Sequence, residues 1–321
     1  MNDISRPRPR GALLNVLLWT LAVLVMFAAI VYQRRTGPTY PRRGVIATGG
    51  EEFRYKLVRS QETNQGARVA LPAAGGRVQA VLHWRRYPLQ EPYAALPLAP
   101  AAQVLPGLND REAADYQDKL VALLPVQPAA GKLEYYLEVT TPEGLQRIPA
   151  LAPGLAEKAG ETTILLRYKD PVPSHILWPH VVLMFFSVLF GMRAGLSALA
   201  DPARMRGHAW VALAGMTLGG MVLGPMVQKH AFGHYWTGFP FGSDLTDNKM
   251  LIMWLSWIFA CSLIGLKARS REGWSRVIVL VAAVVMTGAY IIPHSMRGSQ
   301  LDYKQLEQGV DARRAIGTSE H

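Results

Sequence analysis

The stretch ALLNVLLWTLAVLVMFAAIVY, residues 12–32, decides the fold class of this chain. It contains no charged residue. At a rise of about 1.5 Å per residue it is long enough to cross the hydrocarbon core of a bilayer, which is about 30 Å thick. Gln33, Arg34 and Arg35 follow it where a signal peptide would carry small residues for cleavage. We therefore predict a retained signal-anchor helix at 12–32, preceded by a cytoplasmic N-terminus at 1–11.

The chain has four further apolar runs. Of its 321 residues, 50% are hydrophobic and 18% are charged, which excludes disorder as the dominant state. The single cysteine, Cys261, excludes an internal disulfide. The run at 12–32 and these four later apolar runs together predict five transmembrane helices. The four runs are at about Trp178 to Ala200, His208 to Val227, Met250 to Leu266 and Val277 to Ile292.

The net charge of +11 is distributed unevenly. Residues 37–170, between the first and second apolar runs, hold 16 basic and 14 acidic residues, a net charge of +2. The remaining +9 of the total +11 therefore flanks the apolar runs. This pattern is typical of a membrane protein rather than of a nucleic-acid-binding protein, so no nucleic-acid partner is expected.

Short loops rich in Lys and Arg mark the cytoplasmic side of a membrane protein. Two short connections are rich in these residues, whereas the loop between the third and fourth apolar runs has only Lys229 and Lys249. We predict a bacterial inner-membrane protein with a cytoplasmic N-terminus, a periplasmic insert and an extracytoplasmic tail at 295–321. Arg193 is expected to extend to the cytoplasmic headgroups. The residues that mark the cytoplasmic side are Arg193, Arg204, Arg206, Lys267, Arg269, Arg271 and Arg276.

The polar insert, residues 33–174, has the pattern of a β-sheet domain. Apolar residues alternate with polar ones over residues 78–85, as in a sheet with one buried face. Several short strands separated by Pro, Gly and Asn predict an all-β sandwich. The predicted strands are Phe53 to Arg59, Gly76 to Arg85, Leu120 to Leu124, Leu133 to Thr140, Leu145 to Ile148 and Thr163 to Tyr168. The predicted fold class is thus an α-helical multi-pass membrane protein with an inserted β-sandwich.

One stretch of the insert carries a family resemblance. The run KLEYYLEVT, residues 132–140, precedes a Pro-Glu-Gly turn at 142–144. It resembles the penultimate strand and hairpin of immunoglobulin-like or fibronectin-type-III-like domains. The resemblance implies a rigid module that makes contacts and carries no catalytic residues.

Histidines are concentrated at one depth of the predicted four-helix membrane domain, residues 175–294. Neutral imidazole binds haem iron, copper and zinc, so the pattern predicts a haem b or transition-metal site (Cu, Zn or Fe) at the outer surface. His230 and His234 have the i, i+4 spacing that would place both rings on one helical face. The alternative is interfacial histidines bonded to water, backbone or headgroups. The five are His175, His180, His230, His234 and His294.

The loop at 228–249 is rich in aromatic residues and glycine. Trp236, Phe239 and Phe241 are predicted to stack against a planar ring such as a quinone or porphyrin. An interfacial plug between helices is the alternative. Either Ser243 or Asp244 suits the N-cap of the next helix, and the dipole of that helix favours carboxylates such as Asp244 and Asp247 in its first turn. Hard-cation binding by Asp244, Asp247 and Asn248 is the alternative.

Two functions follow from these patterns. The first is a redox, electron-transfer or metal-handling membrane subunit, in which the outer histidines bind haem or metal. The second is a non-catalytic membrane-anchored scaffold or assembly factor, whose sandwich binds an extracytoplasmic partner. Besides the lipid bilayer, other membrane or periplasmic proteins are expected partners. The sequence contains no Walker A, Gly-x-Ser-x-Gly or His-Glu-x-x-His motif, so no enzymatic activity is assigned.

Overall fold

A computed structural model describes residues 11–267, 272–294 and 298–318 of the chain. The chain divides into two compact units. The helical unit comprises the chain up to Gly37, Val172–Gly298 and the last residues from Thr318, and the β unit comprises Pro38–Pro171 and Ser299–Gly317. Four parts of the sequence-based predictions lie outside the described residues: positions 1–10 of the N-terminus, Arg269 and Arg271, and positions 295–297 and 319–321 of the tail.

The elements follow one another as helices around a β-rich insert. The helices are α1 (Ala12–Thr36), α2 (Ala101–Val104), α3 (Asp110–Asp115), α4 (Ser174–Ala200), α5 (Pro202–Met216), α6 (Gly224–Phe232), α7 (Leu245–Ile264), α8 (Glu272–Ile291) and α9 (Tyr303–Glu307). A 3-10 turn covers Ala74–Gly76, and a π-helical segment, Thr217–Leu223, joins α5 to α6. The strands are β1 (Arg42–Thr48), β2 (Glu51–Leu57), β3 (Ser60–Glu62), β4 (Ala67–Pro72), β5 (Gln79–Tyr87), β6 (Ala94–Pro97), β7 (Ala99–Pro100), β8 (Lys119–Leu124), β9 (Lys132–Thr141), β10 (Gly144–Ile148), β11 (Ile164–Lys169), β12 (Ser299–Leu301) and β13 (Ile316–Thr318).

Within the described ranges, four helices are long and apolar enough to cross a membrane. They are α1, α4, the continuous helix Pro202–Phe232 and α8. The fourth predicted span coincides with α7, which has 20 residues but is not among these four. The structure therefore confirms a helix at each predicted run, whereas a fifth crossing stays a prediction.

Small residues let the helices of this unit approach closely. A Cβ at Gly195 of α4 would lie 2.6 Å from the Cβ of Ala283 on α8. A Cβ at Gly219 would lie 2.8 Å from the Cβ of Leu183 on α4. Because any side chain at these positions would collide with a neighbouring helix, these glycines let helices of one chain pack closely against each other.

The π-helical segment has a local cause. Pro225 has no backbone N–H and cannot continue the i to i−4 ladder. The N–H of Gly224 donates instead to the carbonyl of Gly219, five residues earlier. Such π turns loosen the backbone ladder and often occur at functional positions. Here the Gly219 carbonyl also accepts a hydrogen bond from a side chain of α4, described below.

The β unit contains all six predicted strands, as β2, β5, β8, β9, β10 and β11. Its largest sheet has the order β3-β11-β9-β5-β6, with β10 paired to β9. A three-stranded sheet has the order β4-β8-β7, and β1-β2 and β12-β13 are separate pairs. The β11-β3 pair is parallel, while β9 pairs antiparallel with β5, β10 and β11.

One hydrophobic core joins both larger sheets. Leu82 and Leu137 of the large sheet are fully buried together with Leu71 and Leu124 of the small sheet. The alternation predicted for β5 is confirmed, because Ala80 and Leu82 are buried while the intervening side chains are more exposed. The sandwich architecture and the immunoglobulin-like or fibronectin-like resemblance stay predictions.

The segment Ser299–Gly317 belongs to the β unit. The backbone N–H of Leu301 donates to the carbonyl of Ala130 at 3.1 Å. The buried Tyr303 side chain donates its hydroxyl proton to Gln127 Oε1 at 3.0 Å and accepts from the N–H of Lys132 at 3.1 Å. This part of the tail is therefore held by hydrogen bonds to the insert.

Candidate functional site

The loop between α6 and α7 is closed by a left-handed glycine at one end and a carboxylate cap at the other. Gly233 has a φ of 85° and ends α6 at Phe232. Asp244 is the N-cap of α7 and accepts from the backbone N–H of Thr246 at 2.7 Å and of Asp247 at 3.3 Å. The predicted capping role of Asp244 is confirmed.

Two further polar side chains of α7 hold the middle of this loop. Asp247 accepts from the backbone N–H of Thr237 at 2.7 Å, and Asn248 accepts from that of Phe239 at 2.6 Å. A Cβ at Gly238 would lie 2.6 Å from the Cβ of Asp247, so only glycine allows this close approach. The loop is therefore fixed to the first turn of α7.

The aromatic residues of this loop lie on its surface. Phe239 is 69% exposed and Phe241 is 82% exposed. Trp236 is partly buried and donates its Nε1–H to the carbonyl of Phe239 at 3.0 Å. In this arrangement the predicted ring-stacking residues form an exposed apolar tip on a fixed loop.

The structure separates the predicted histidines. His175 and His230 are exposed. His234 follows Gly233 and lies outside α6, so the prediction that His230 and His234 share one helical face is wrong. The reason is the left-handed glycine between them, which turns the chain away from the helix axis.

His180 and His294 are close enough to interact electrostatically. His180 lies on α4 and donates its Nδ1–H to the carbonyl of Gly219 at 2.8 Å. His294 follows α8, and its Nδ1 lies 3.3 Å from Nζ of Lys249. Since an ammonium is only a donor, His294 Nδ1 is the acceptor of this bond.

Lys249 is a central residue of this region that sequence reasoning missed. It is buried on α7, and its Nζ donates to the carbonyl of Ile292 at 2.7 Å as well as to His294. It thereby ties α7 to the chain that leaves α8. Sequence spacing gives no signal for this contact, because 43 residues separate Lys249 from Ile292.

A metal centre built from several of these histidines is not formed. Across the described residues, no three His, Cys, Asp or Glu side chains are grouped so that they could hold a metal ion. Cys261 is buried inside α7. The arrangement of the described residues therefore does not fit a three-ligand metal site, and the ring of His180 is oriented by a backbone carbonyl.

At the other end of the helical unit, Arg193 is fully buried, so the prediction that it extends to the headgroups is wrong. Its guanidinium donates to Asn15 Oδ1 of α1 at 2.9 Å and to the hydroxyl of Ser197. It lies 3.9 Å from the buried carboxylate of Asp201, which also accepts from Arg204 at 2.6 Å. The physical reason is packing, because α1, α4 and α5 enclose the side chain.

Other arginines at this end stabilise helix termini. Arg206 donates to both carboxylate oxygens of Glu272, at 2.6 and 2.7 Å. Arg276 donates to the carbonyls of Ala198 and Leu199, in the last turn of α4, at 2.5 and 2.8 Å. Residues that marked the cytoplasmic side in the sequence therefore also link helices.

The outer face of the large β sheet carries a Tyr–Arg platform, defined by His83, Arg85, Tyr93, Tyr136 and Arg147. The rings of His83 and Tyr136 stack with centroids 4.7 Å apart and planes 8° apart. The guanidinium of Arg147 lies over the Tyr136 ring, 4.0 Å from its centroid. The guanidinium of Arg85 lies over the Tyr93 ring, 4.3 Å from its centroid. The result is a layer of mutually stacked side chains.

Acidic partners neutralise this platform. Glu134 accepts from Arg85 at 3.0 Å, and Glu157 accepts from Arg147 at 2.6 Å and from the hydroxyl of Tyr93 at 3.0 Å. Burial alone would lower the pKa of Arg85, but the hydrogen bond with Glu134 raises it. Burial has the opposite effect on the Tyr93 hydroxyl and raises its pKa, because burial favours the neutral form. The platform residues are therefore held in one charged and hydrogen-bonded arrangement.

Comparison with known proteins finds no matching family model. A search of curated proteins likewise finds no significant match.

Proposed function

We propose that this protein is an integral membrane protein with five spanning helices and a β-sandwich domain. Four helices meet the length and composition of a membrane span. Support for α7 as the fifth comes from its surface, because Ile252, Leu255 and Phe259 are exposed at helical spacing. An exposed apolar stripe on a 20-residue helix suits contact with lipid chains.

The orientation we propose has the N-terminus in the cytoplasm and the β unit in the periplasm of a bacterial inner membrane. Its support is the basic residues in or next to the α4–α5 and α7–α8 connections. Among the described residues these are Arg204 and Arg206 in α5, Lys267 after α7 and Arg276 in α8. The connection between α6 and α7 has few basic residues by comparison.

The function that the geometry supports best is a non-catalytic membrane-anchored scaffold or assembly factor. The observation that carries it is the Tyr–Arg platform. Tyrosine and arginine are enriched at the centres of protein interfaces, where they contribute much of the binding energy. Because the platform side chains are already stacked and paired, little conformational entropy remains to be lost on binding. A periplasmic or membrane protein is the partner this surface fits.

The proposal predicts a specific crosslink at the platform. Tyr93 is replaced by the photo-reactive residue p-benzoylphenylalanine in the full chain, and intact membranes are irradiated. We expect a discrete covalent adduct of higher mass, because a bound partner would cover this surface. Adding Arg147→Ala should reduce the adduct at least about tenfold, since interface truncations of this kind often cost 2 kcal/mol or more.

The matched control places the same probe at Leu155, which is exposed in the same unit. No discrete adduct is expected there. Equal adducts at both positions, or none at Tyr93 in the folded protein, would contradict a role of the platform in binding.

A second function, binding of haem b in a redox or electron-transfer subunit, is favoured by His180. Its Nδ1–H donates to the Gly219 carbonyl at 2.8 Å, which leaves the Nε2 lone pair for a ligand. Metal-binding histidines usually have this second-shell bond. In the neutral form, His294 carries its proton on Nε2, because Nδ1 accepts from Lys249. His180 is therefore the residue that would hold the haem iron, and haem would supply one-electron transfer.

An absorption spectrum separates the two functions. If the second holds, the full chain purified in mild detergent shows a Soret band with stoichiometric iron, and His180→Ala removes it. His175→Ala, an exposed histidine on the same helix, is the control and should leave the spectrum unchanged. The absence of both a Soret band and stoichiometric metal would exclude haem binding, and the scaffold function would remain.

A further inference from the structure

Three arginines that are distant in the sequence come together in the β unit. The N–H of Arg167, on β11, donates to the carbonyl of Arg59 at 3.1 Å. Arg42, on β1, is opposite Leu57 in the β1–β2 pair, two residues before Arg59. Their side chains interact electrostatically, Arg42 with Arg59 and Arg59 with Arg167. We call these three residues the arginine cluster.

The cluster has no acidic counterpart in the described part of the chain. No ion pair there includes Arg42, Arg59 or Arg167, in contrast to the paired arginines of the platform. The one side-chain hydrogen bond of Arg167 goes to the carbonyl of Pro38 at 3.3 Å. Burial and then Arg59 lower the pKa of Arg167 to about 10, and burial and then Arg42 lower the pKa of Arg59. The guanidinium groups therefore repel one another while remaining charged at neutral pH.

The cluster is close in sequence to two candidate membrane spans. Arg42 follows the end of α1 at Thr36 by six residues. Arg167 precedes the start of α4 at Ser174 by seven residues. Because an extended chain covers at most about 3.6 Å per residue, Arg42 is within about 22 Å of the end of α1 and Arg167 within about 25 Å of the start of α4. Both arginines are therefore joined by short tethers to segments that we propose as membrane spans.

From this juxtaposition we infer that the arginine cluster binds the phosphate of an anionic phospholipid headgroup in the periplasmic leaflet. Guanidinium groups match phosphate oxygens with paired N–H donors. A phosphate among the three side chains would supply the negative charge that the cluster lacks. The bound lipid would give the β unit a contact with lipid. This inference goes beyond the scaffold function, and it rests on the proposed topology with a periplasmic β unit.

The inference is tested on the full chain in nonionic detergent. Dioctanoyl phosphatidylglycerol and dioctanoyl phosphatidylcholine are titrated separately, and the thermal unfolding midpoint is followed by tryptophan fluorescence. We expect a saturable rise with phosphatidylglycerol that exceeds the rise with phosphatidylcholine. Arg59→Gln and Arg167→Gln should each weaken the apparent affinity for phosphatidylglycerol roughly fivefold, and added salt should weaken it further.

Matched variants distinguish binding from a structural role. Arg111→Gln, at an exposed position of α3, should leave the affinity unchanged. Without lipid, Arg59→Gln should unfold at the same or a higher temperature, because it removes like-charge repulsion, whereas a structural arginine would lower the midpoint. Arg59→Lys should retain part of the affinity, because it keeps the charge but loses the paired N–H donors.

Three results would overturn the inference. Equal responses to the two lipids would mean that the headgroup charge is not recognised. An equal loss in Arg111→Gln would mean that the effect is not local to the cluster. A saturable response to inorganic phosphate that exceeds the response to phosphatidylglycerol would assign the cluster to a soluble oxyanion instead.

Discussion

Asp201→Ala is expected to destabilise the helical unit by about 3–5 kcal/mol, because it leaves a buried cation without its anionic partner. Arg193 is 0% exposed, and Asp201 is the one carboxylate within 4 Å of it among the described residues. Its remaining partners, Asn15 and Ser197, are neutral. The free energy of unfolding is measured by titrating sodium dodecyl sulfate into detergent-solubilised protein and following helicity by circular dichroism.

Two variants test whether burial is the cause. Arg204→Ala removes the other partner of Asp201, but Arg204 is partly exposed, so its loss should cost about 1 kcal/mol or less. The double variant Arg193→Leu with Asp201→Ala should recover most of the stability lost in Asp201→Ala, because no unpaired charge then remains buried. An Arg204→Ala cost equal to that of Asp201→Ala, or a double variant as unstable as the single one, would contradict this explanation.

Asp247→Ala is expected to release the loop between α6 and α7. The buried Asp247 side chain accepts from the backbone N–H of Thr237, and removal of the acceptor leaves that donor without a partner. A buried donor left unpaired costs about 1–3 kcal/mol. If opening and closing are fast, the rate of limited proteolysis in residues 233–243 should rise roughly fivefold to more than a hundredfold.

The matched control is Asp247→Asn. Its amide oxygen can still accept from Thr237, so proteolysis should remain within a few-fold of the unsubstituted rate. An Asn variant that is cleaved as fast as the Ala variant would show that the charge of Asp247 matters rather than its acceptor. The same pair of variants shows whether the exposed Phe239 and Phe241 depend on this contact for their position.

The two halves of the chain differ in how far the sequence predicted them. Helices could be predicted from hydropathy alone, because burial in lipid or in a bundle requires a long apolar run whatever its neighbours are. Strand β9 could be predicted from its own composition, and its neighbours β5 and β11 from theirs. Within the insert, β3, β6 and β7 were missed, since two to four residues carry too little periodicity to be distinguished from a loop. The longer β1 and β4 were missed as well, although buried and more exposed residues alternate along β4.

The candidate sites were less predictable than the elements. The N-cap of α7 could be narrowed to Ser243 or Asp244, because capping is local and depends on residues within one turn. The structure shows that Asp244 is the cap. The prediction that His230 and His234 share one helical face was wrong, because it depended on the backbone conformation of Gly233. The Tyr–Arg platform could have been found in part from the alternation that places His83 and Arg85 on one face of β5. Their partner Arg147 is far along the chain, and the sequence contains no signal that pairs them.

By itself, the sequence determined where the apolar helices and six of the strands form, how charge divides between the insert and the helix flanks, and that Ser243 or Asp244 caps α7. These are local properties, set by side-chain hydropathy and by hydrogen bonds within a few residues. Only the tertiary structure decided that Arg193 is enclosed with Asn15, 178 residues away, and that Arg42, Arg59 and Arg167 meet without an ion-pair partner among the described residues. Burial and charge pairing depend on which distant segments pack together, and no local pattern encodes that choice.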